Sequence, residues 1–159
     1  MKYSLIAVFM FLMVSAAVAQ KKDKEAVKAR MAEMVQNETI SFRAEMVYPQ
    51  GRPSRYLSEL YYLFTVNDKK VVCDLPYFGE AHQASLANDG GIKFTSSNYT
   101  VEKKQLKKGW TMVIKPKDNS DIKECTLNVY ESGSANLVVV SNTRSTISYD
   151  GRIIEPGSN

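Results

Sequence analysis

The chain has 159 residues, 44% of them hydrophobic and 24% charged, with a formal net charge of +4. That mild basicity is not the footprint of a nucleic-acid binder. A single histidine also excludes most zinc sites, which need several His or Cys at close spacing.

The first stretch, MKYSLIAVFMFLMVSAAVAQ, carries Lys2, an apolar run from Leu5 to Val14 and the small-residue ending Ala17-Val18-Ala19. This is the layout of a cleaved signal peptide. The run falls short of the about 20 apolar residues that a membrane-spanning helix needs. Cleavage after Ala19 makes residues 1–19 a leader and Gln20 the mature start, where the absence of a Cys argues against a lipid anchor. The expected location is periplasmic or extracellular, with no transmembrane segment in the mature chain.

KKDKEAVKARMAEMVQNE reads as an amphipathic helix over 20–37, because Val27, Met31, Met34 and Val35 fall on one side. From Thr39 the period changes to two. In ISFRAEMVY, Ile40, Phe42, Ala44, Met46 and Tyr48 alternate with Ser41, Arg43, Glu45 and Val47, as in a half-buried strand. PQGRPSR is a loop. LYYLFTV is almost continuously apolar and predicts a central strand; NDKK turns the chain into VVCDLPY, which Pro76 should end.

NDGG precedes IKFTSS and NYTVEKKQL, and Lys107-Lys108-Gly109 turns into WTMVI. DNSD, ESGSA and NTRS separate KECTLNVY, NLVVVS and TISYDGRII. Short, evenly spaced strands with tight turns predict an all-β domain over 38–154, followed by a flexible tail over 155–159. An antiparallel meander of about 8–9 strands should curl into a barrel or split into a sandwich.

Lys103, Lys104, Lys107 and Lys108 crowd the tip VEKKQLKKGW. They fit a solvated hairpin guarding strand edges, or a contact with an acidic envelope polymer or lipid head groups. Cys73 and Cys125 sit in phase with apolar neighbours, so both can face one core, as a disulfide or as two buried thiols.

The remaining chemistry is thin. DNSD lacks the glycine and distant glutamate of a calcium loop. There is no G-x-S-x-G elbow and no phosphate-cradling glycine loop. Cys73 and His82 are formally a nucleophile and a base, but a thiol on the apolar side of a strand is a poor nucleophile. No catalytic residue, metal or cofactor is assigned.

The segments MVYPQGRPSRYL and LPYFGEA, beside the leader, the charged helix and a Tyr-rich strand, carry a family resemblance. The chain resembles a family of uncharacterised exported proteins of Bacteroides-type bacteria, domain-of-unknown-function family 4251. Tyr48-Pro49, Gly51, Ser54-Arg55, Leu57 and Leu75-Pro76-Tyr77-Phe78-Gly79 are its most specific parts. The family usually continues Arg-Ala-Tyr after that glycine. Here Glu80-Ala81-His82 reverses a charge and replaces a phenol, which puts a binding role for those two positions in doubt. The resemblance implies an envelope location and a single all-β domain, with no established activity or cofactor.

LPYFGEAHQ has two readings. As a corner, Pro76 stops the pairing, Gly79 permits a bend and an aromatic anchors it. As a pocket rim, Tyr77, Phe78, His82 and Trp110 meet a ligand. Arg52 and Arg55 can clamp an anion or pair with a nearby carboxylate. The expected function is non-catalytic binding of a small apolar or amphipathic ligand or an envelope component. A protein-interaction module using a sheet edge or helix face is the alternative, and a hydrolase is third.

Overall fold

The computed structural model describes residues 20–80 and 90–155. The expected leader, His82 and residues 156–159 of the tail lie outside them. Residues 20–36 form helix α1. Its last turn closes as a Schellman motif: Glu38 N–H donates to Val35 O at 3.3 Å and Thr39 N–H to Met34 O at 3.1 Å. Glu38 takes the left-handed position (φ 53°) that glycine usually fills. Lys103 holds it there, pairing with the Glu38 carboxylate at 2.9 Å and donating to Gln36 O at 2.9 Å. Of the apolar stripe, Met31 and Val35 are buried, Met34 packs against the core and Val27 stays exposed. The stripe serves packing.

Ten strands follow: β1 (Ile40–Pro49), β2 (Arg55–Tyr56), β3 (Leu63–Val66), β4 (Val71–Leu75), β5 (Ile92–Ser96), β6 (Tyr99–Leu106), β7 (Gly109–Pro116), β8 (Ile122–Tyr130), β9 (Ser134–Ser141) and β10 (Ile147–Ile154). Every strand pairing among the described residues is antiparallel, in the order β5-β4-β3-β1-β10-β9-β8-β7-β6, with β2 added to β1. The sheet is thus a nearly closed barrel whose seam lies between β5 and β6, as all-β reasoning requires. At that seam Asp118 accepts from the Ser96 hydroxyl at 2.5 Å and from the Ser97 and Asn98 amides at 2.9 and 3.1 Å. These bonds hold the β5–β6 turn.

Side chains fill the interior. Tyr149, Phe42, Phe64, Met112, Leu127 and Leu137 are among the largest that are completely buried. In β8 the alternation puts Cys125, Leu127 and Val129 inside.

Two expectations need correction. In β1 the register shifts between Ala44 and Met46, so Glu45 is an extra residue opposite β10. A bulge of this kind reverses the alternation beyond it. Val47 is therefore buried, while Met46 and Tyr48 leave the inner face. The second correction concerns LYYLFTV, where only Leu63–Val66 is strand. Leu60 and Tyr61 form an exposed turn. Tyrosine carries a polar tip, so a Tyr-rich run reads as apolar without requiring burial.

Candidate functional site

The segment 75–80 is a corner tied down from three directions. Leu75 is buried, and the Pro76 carbonyl accepts a 2.7 Å hydrogen bond from the core phenol of Tyr149. Burial pushes the Tyr149 phenol well above its ordinary range, so it remains a donor. The Tyr77 hydroxyl is shared between Glu80 O at 2.7 Å and Ser145 O at 3.1 Å. Ser145 N–H returns a bond to Glu80 O at 3.1 Å.

Arg144 is buried beside this corner. Its guanidinium lies 5.4 Å from the Tyr77 ring centroid, donates to Gly91 O at 2.8 Å and stands 3.7 Å from Asp121 Oδ2. A buried cation needs such partners. Gly79 is required by contact rather than by a left-handed backbone: a Cβ there would lie 2.5 Å from the Tyr77 hydroxyl.

Both expected arginines settle on the same corner. The Arg55 guanidinium stacks 5.0 Å from the centroid of the half-buried Phe78 ring. Arg52 approaches Glu80 at 3.9 Å. Trp110 is elsewhere, on β7 between Gln105 and Val129, lining a groove with Ala29, Ala32 and Gln36 of α1. The structure therefore brings Tyr77, Phe78, Arg52 and Arg55 together and leaves Trp110 apart; His82 lies outside the described residues.

Cys73 and Cys125 are free thiols, both buried in the common core. Burial, with a smaller contribution from Cys125, pushes the Cys73 thiol well up, and burial pushes Cys125 up to about 12. Both stay protonated near neutral pH, which suits packing and not nucleophilic attack. Among the described residues no group of three or more His, Cys, Asp or Glu gathers to hold a metal ion. Nor is any helix among them long and apolar enough to cross a membrane.

Beside the corner lies a shallow hollow of about 280 Å³, walled by Tyr61, Tyr62, Tyr77 and Phe78. Tyr61 and Tyr62 meet edge to face at 4.7 Å. Asp74 Oδ1 faces Lys93 Nζ at 3.4 Å yet makes no hydrogen bond among the described residues. Tyr56, Leu60 and the Tyr61 of this hollow are 85%, 69% and 60% exposed. Tyr48 is turned outward by the bulge, and the neighbouring Asp150 carboxylate pushes its phenol up. Sequence reasoning assigned Tyr56, Leu60, Tyr61 and Tyr62 no binding role. Their usable signal was tyrosine beside a Pro/Gly loop, where exposure is as natural as burial.

The fold and this corner define a helix-bearing antiparallel barrel. A family model for a domain of unknown function, DUF4251, matches residues 21–153, and the chain belongs to that family. Three solved chains are similar to it. One is the crystal structure of a DUF4251 family protein from Bacteroides eggerthii DSM 20697 at 1.95 Å. It shares 10% identity over 82% of this chain and 88% of that one, with a TM-score of 0.59. At that identity the likeness is one of fold. No curated protein matches the chain.

Proposed function

We propose that the protein is an exported, non-catalytic binding module that holds a protein partner of the cell envelope on its tyrosine-rich face. The observation that carries this reading is the exposure of Tyr56, Leu60 and Tyr61 beside a barrel interior already filled with side chains. Tyrosine and arginine are the residues that concentrate binding energy at protein interfaces, and Arg55 and Phe78 supply a pre-ordered stack at this one. The helix stripe is a weaker candidate, because Met31 and Val35 of that stripe are spent on the core. The leader-like first nineteen residues support a location outside the cytoplasm.

A second reading has one observation in its favour. Asp74 Oδ1, ion-paired with Lys93 but without a hydrogen bond among the described residues, lies at the edge of the aromatic hollow and can accept from a small amphipathic ligand.

The test is quantitative capture from native envelope extract with wild type and with Tyr56→Ala/Tyr61→Ala. Both side chains are exposed, so the variant should keep its urea midpoint to within about 0.5 kcal/mol. The partner captured by wild type should be lost by the variant. Equal capture by the two proteins rejects this face as the binding site. Loss with Asp74→Asn alone, together with a co-purifying small molecule, moves the second reading ahead.

A further inference from the structure

We infer that the opposite apolar exposure, around the β6–β7 and β8–β9 tips and the start of α1, is a docking surface for an anionic lipid bilayer. Leu106, Tyr130 and Val27 are 42%, 44% and 38% exposed there. They adjoin one another. Gly109 pairs with both Leu106 and Tyr130, Glu131 N–H donates to Lys108 O at 3.4 Å, and a Cβ on Gly133 would stand 3.8 Å from Val27.

The charge around these side chains is unevenly committed. Lys28 is paired with Glu131 at 2.9 Å and Lys103 with Glu38 at 2.9 Å. Lys104, Lys107 and Lys108 on the hairpin, and Lys21, Lys22 and Lys24 on α1, have no ion pair among the described residues. All six are exposed. Beside the paired Glu131 and Glu38, the acids of this surface are Asp23, Glu25 and Glu33, and against six unpaired lysines they leave it net positive.

Apolar side chains ringed by lysines suit a bilayer better than a soluble polyanion. A polyanion answers the charge and leaves Leu106 and Tyr130 in water. An anionic membrane answers both, drawing in the lysines while Leu and Tyr settle at the head-group level. Lysine stems can lie along that boundary with their ammonium groups outward. The half-buried Trp110 lines the groove against α1 next to this tip.

Co-sedimentation of the exported protein with vesicles tests the assignment, with its first residue read by intact mass. Vesicles of phosphatidylcholine containing phosphatidylglycerol should bind it, phosphatidylcholine alone should not, and added salt should weaken binding. Lys104→Gln/Lys107→Gln/Lys108→Gln should weaken binding about 100-fold, the loss expected for three lysines at an anionic surface. Leu106→Ser should weaken it several-fold while leaving the salt dependence in place. Tyr56→Ala/Tyr61→Ala should bind vesicles like wild type, which separates this surface from the partner face. No binding to the anionic vesicles overturns the proposal, as does wild-type binding by the triple lysine variant. Wild-type binding by Leu106→Ser, with heparin competing fully, assigns the surface to soluble polyanions instead and also overturns it.

Discussion

The protein exposes apolar side chains in two regions that differ in the cations beside them. Around the tyrosine-rich face the cations are arginines with partners: Arg55 lies on Phe78, Arg52 approaches Glu80, and buried Arg144 spans Tyr77, Gly91 and Asp121. Around Leu106 and Tyr130 they are lysines, most of them uncommitted. A planar guanidinium stacks and forks, so it fixes neighbouring aromatics in one arrangement. An ammonium on a flexible stem is a hydrated point charge that creates a field without a shape. One region is built to recognise a contour, the other a charge density.

The sharpest break in that comparison is expected at two glycines. Gly109, at the lysine-rich tip, has φ +150°, and a Cβ there would collide with the Val129 carbonyl oxygen. Backbone cannot easily yield, and this conformation is strained for any L side chain, so Gly109→Ala should cost more than about 3 kcal/mol. Gly79→Ala obstructs only the Tyr77 ring and should cost about 1 to 3 kcal/mol. Urea midpoints at unchanged slope rank the two. A reversed order would mean that the tyrosine corner is the stiffer region.

Phe78→Ala should cost about 2 kcal/mol, between a fully buried and a rim aromatic, because its ring is half-buried under Arg55. A change within about 0.5 kcal/mol would make Phe78 part of the binding surface alone. Denaturant titration of the single variant decides this.

The smallest effect belongs to the seam, which lies outside both regions. The Ser96 hydroxyl, followed by the Ser97 amide, holds the Asp118 carboxyl below its ordinary pKa. A depressed folded-state pKa contributes stability that is present above the unfolded value, near about 4, and is lost as pH falls through the folded one. Wild type should therefore lose stability in acid slightly faster than Asp118→Asn, in matched urea titrations from neutral pH downward. Parallel curves would remove Asp118 from the acid response.

Much of this architecture was legible locally. Alternation in β1 as far as Ala44, the turn residues of 67–70 and 107–109, and the stop at Pro76 are short-range signals, and the strands followed them. The bulge at Glu45 was not legible, because it depends on β10, with Gly151 opposite Ala44 admitting the close Arg43 carbonyl. The corner's purpose was equally non-local. Tyr77 finds Ser145 across 68 residues of sequence, and Lys103 reaches the end of α1 from the middle of β6. Grouping Trp110 with Phe78 failed for the same reason. Residue type announced an aromatic rim, but strand order decided which aromatics share one.

Strands β1 and β10 lie side by side along Ser41–Pro49 and Ile147–Ile154, although they open and close the sheet in sequence. The consequence concerns timing. During synthesis, the β1–β3–β4–β5 half and the β6–β9 half each zip up through near neighbours, but no strand pairing joins them until the last strand arrives. Until then β1 and β9 both present unsatisfied edges, the kind of template that invites pairing with foreign chains. Such late, long-range closure makes folding slow relative to the formation of hairpins. The C-terminal strand is a zip fastener drawn last, and the molecule is vulnerable for as long as it is unfastened.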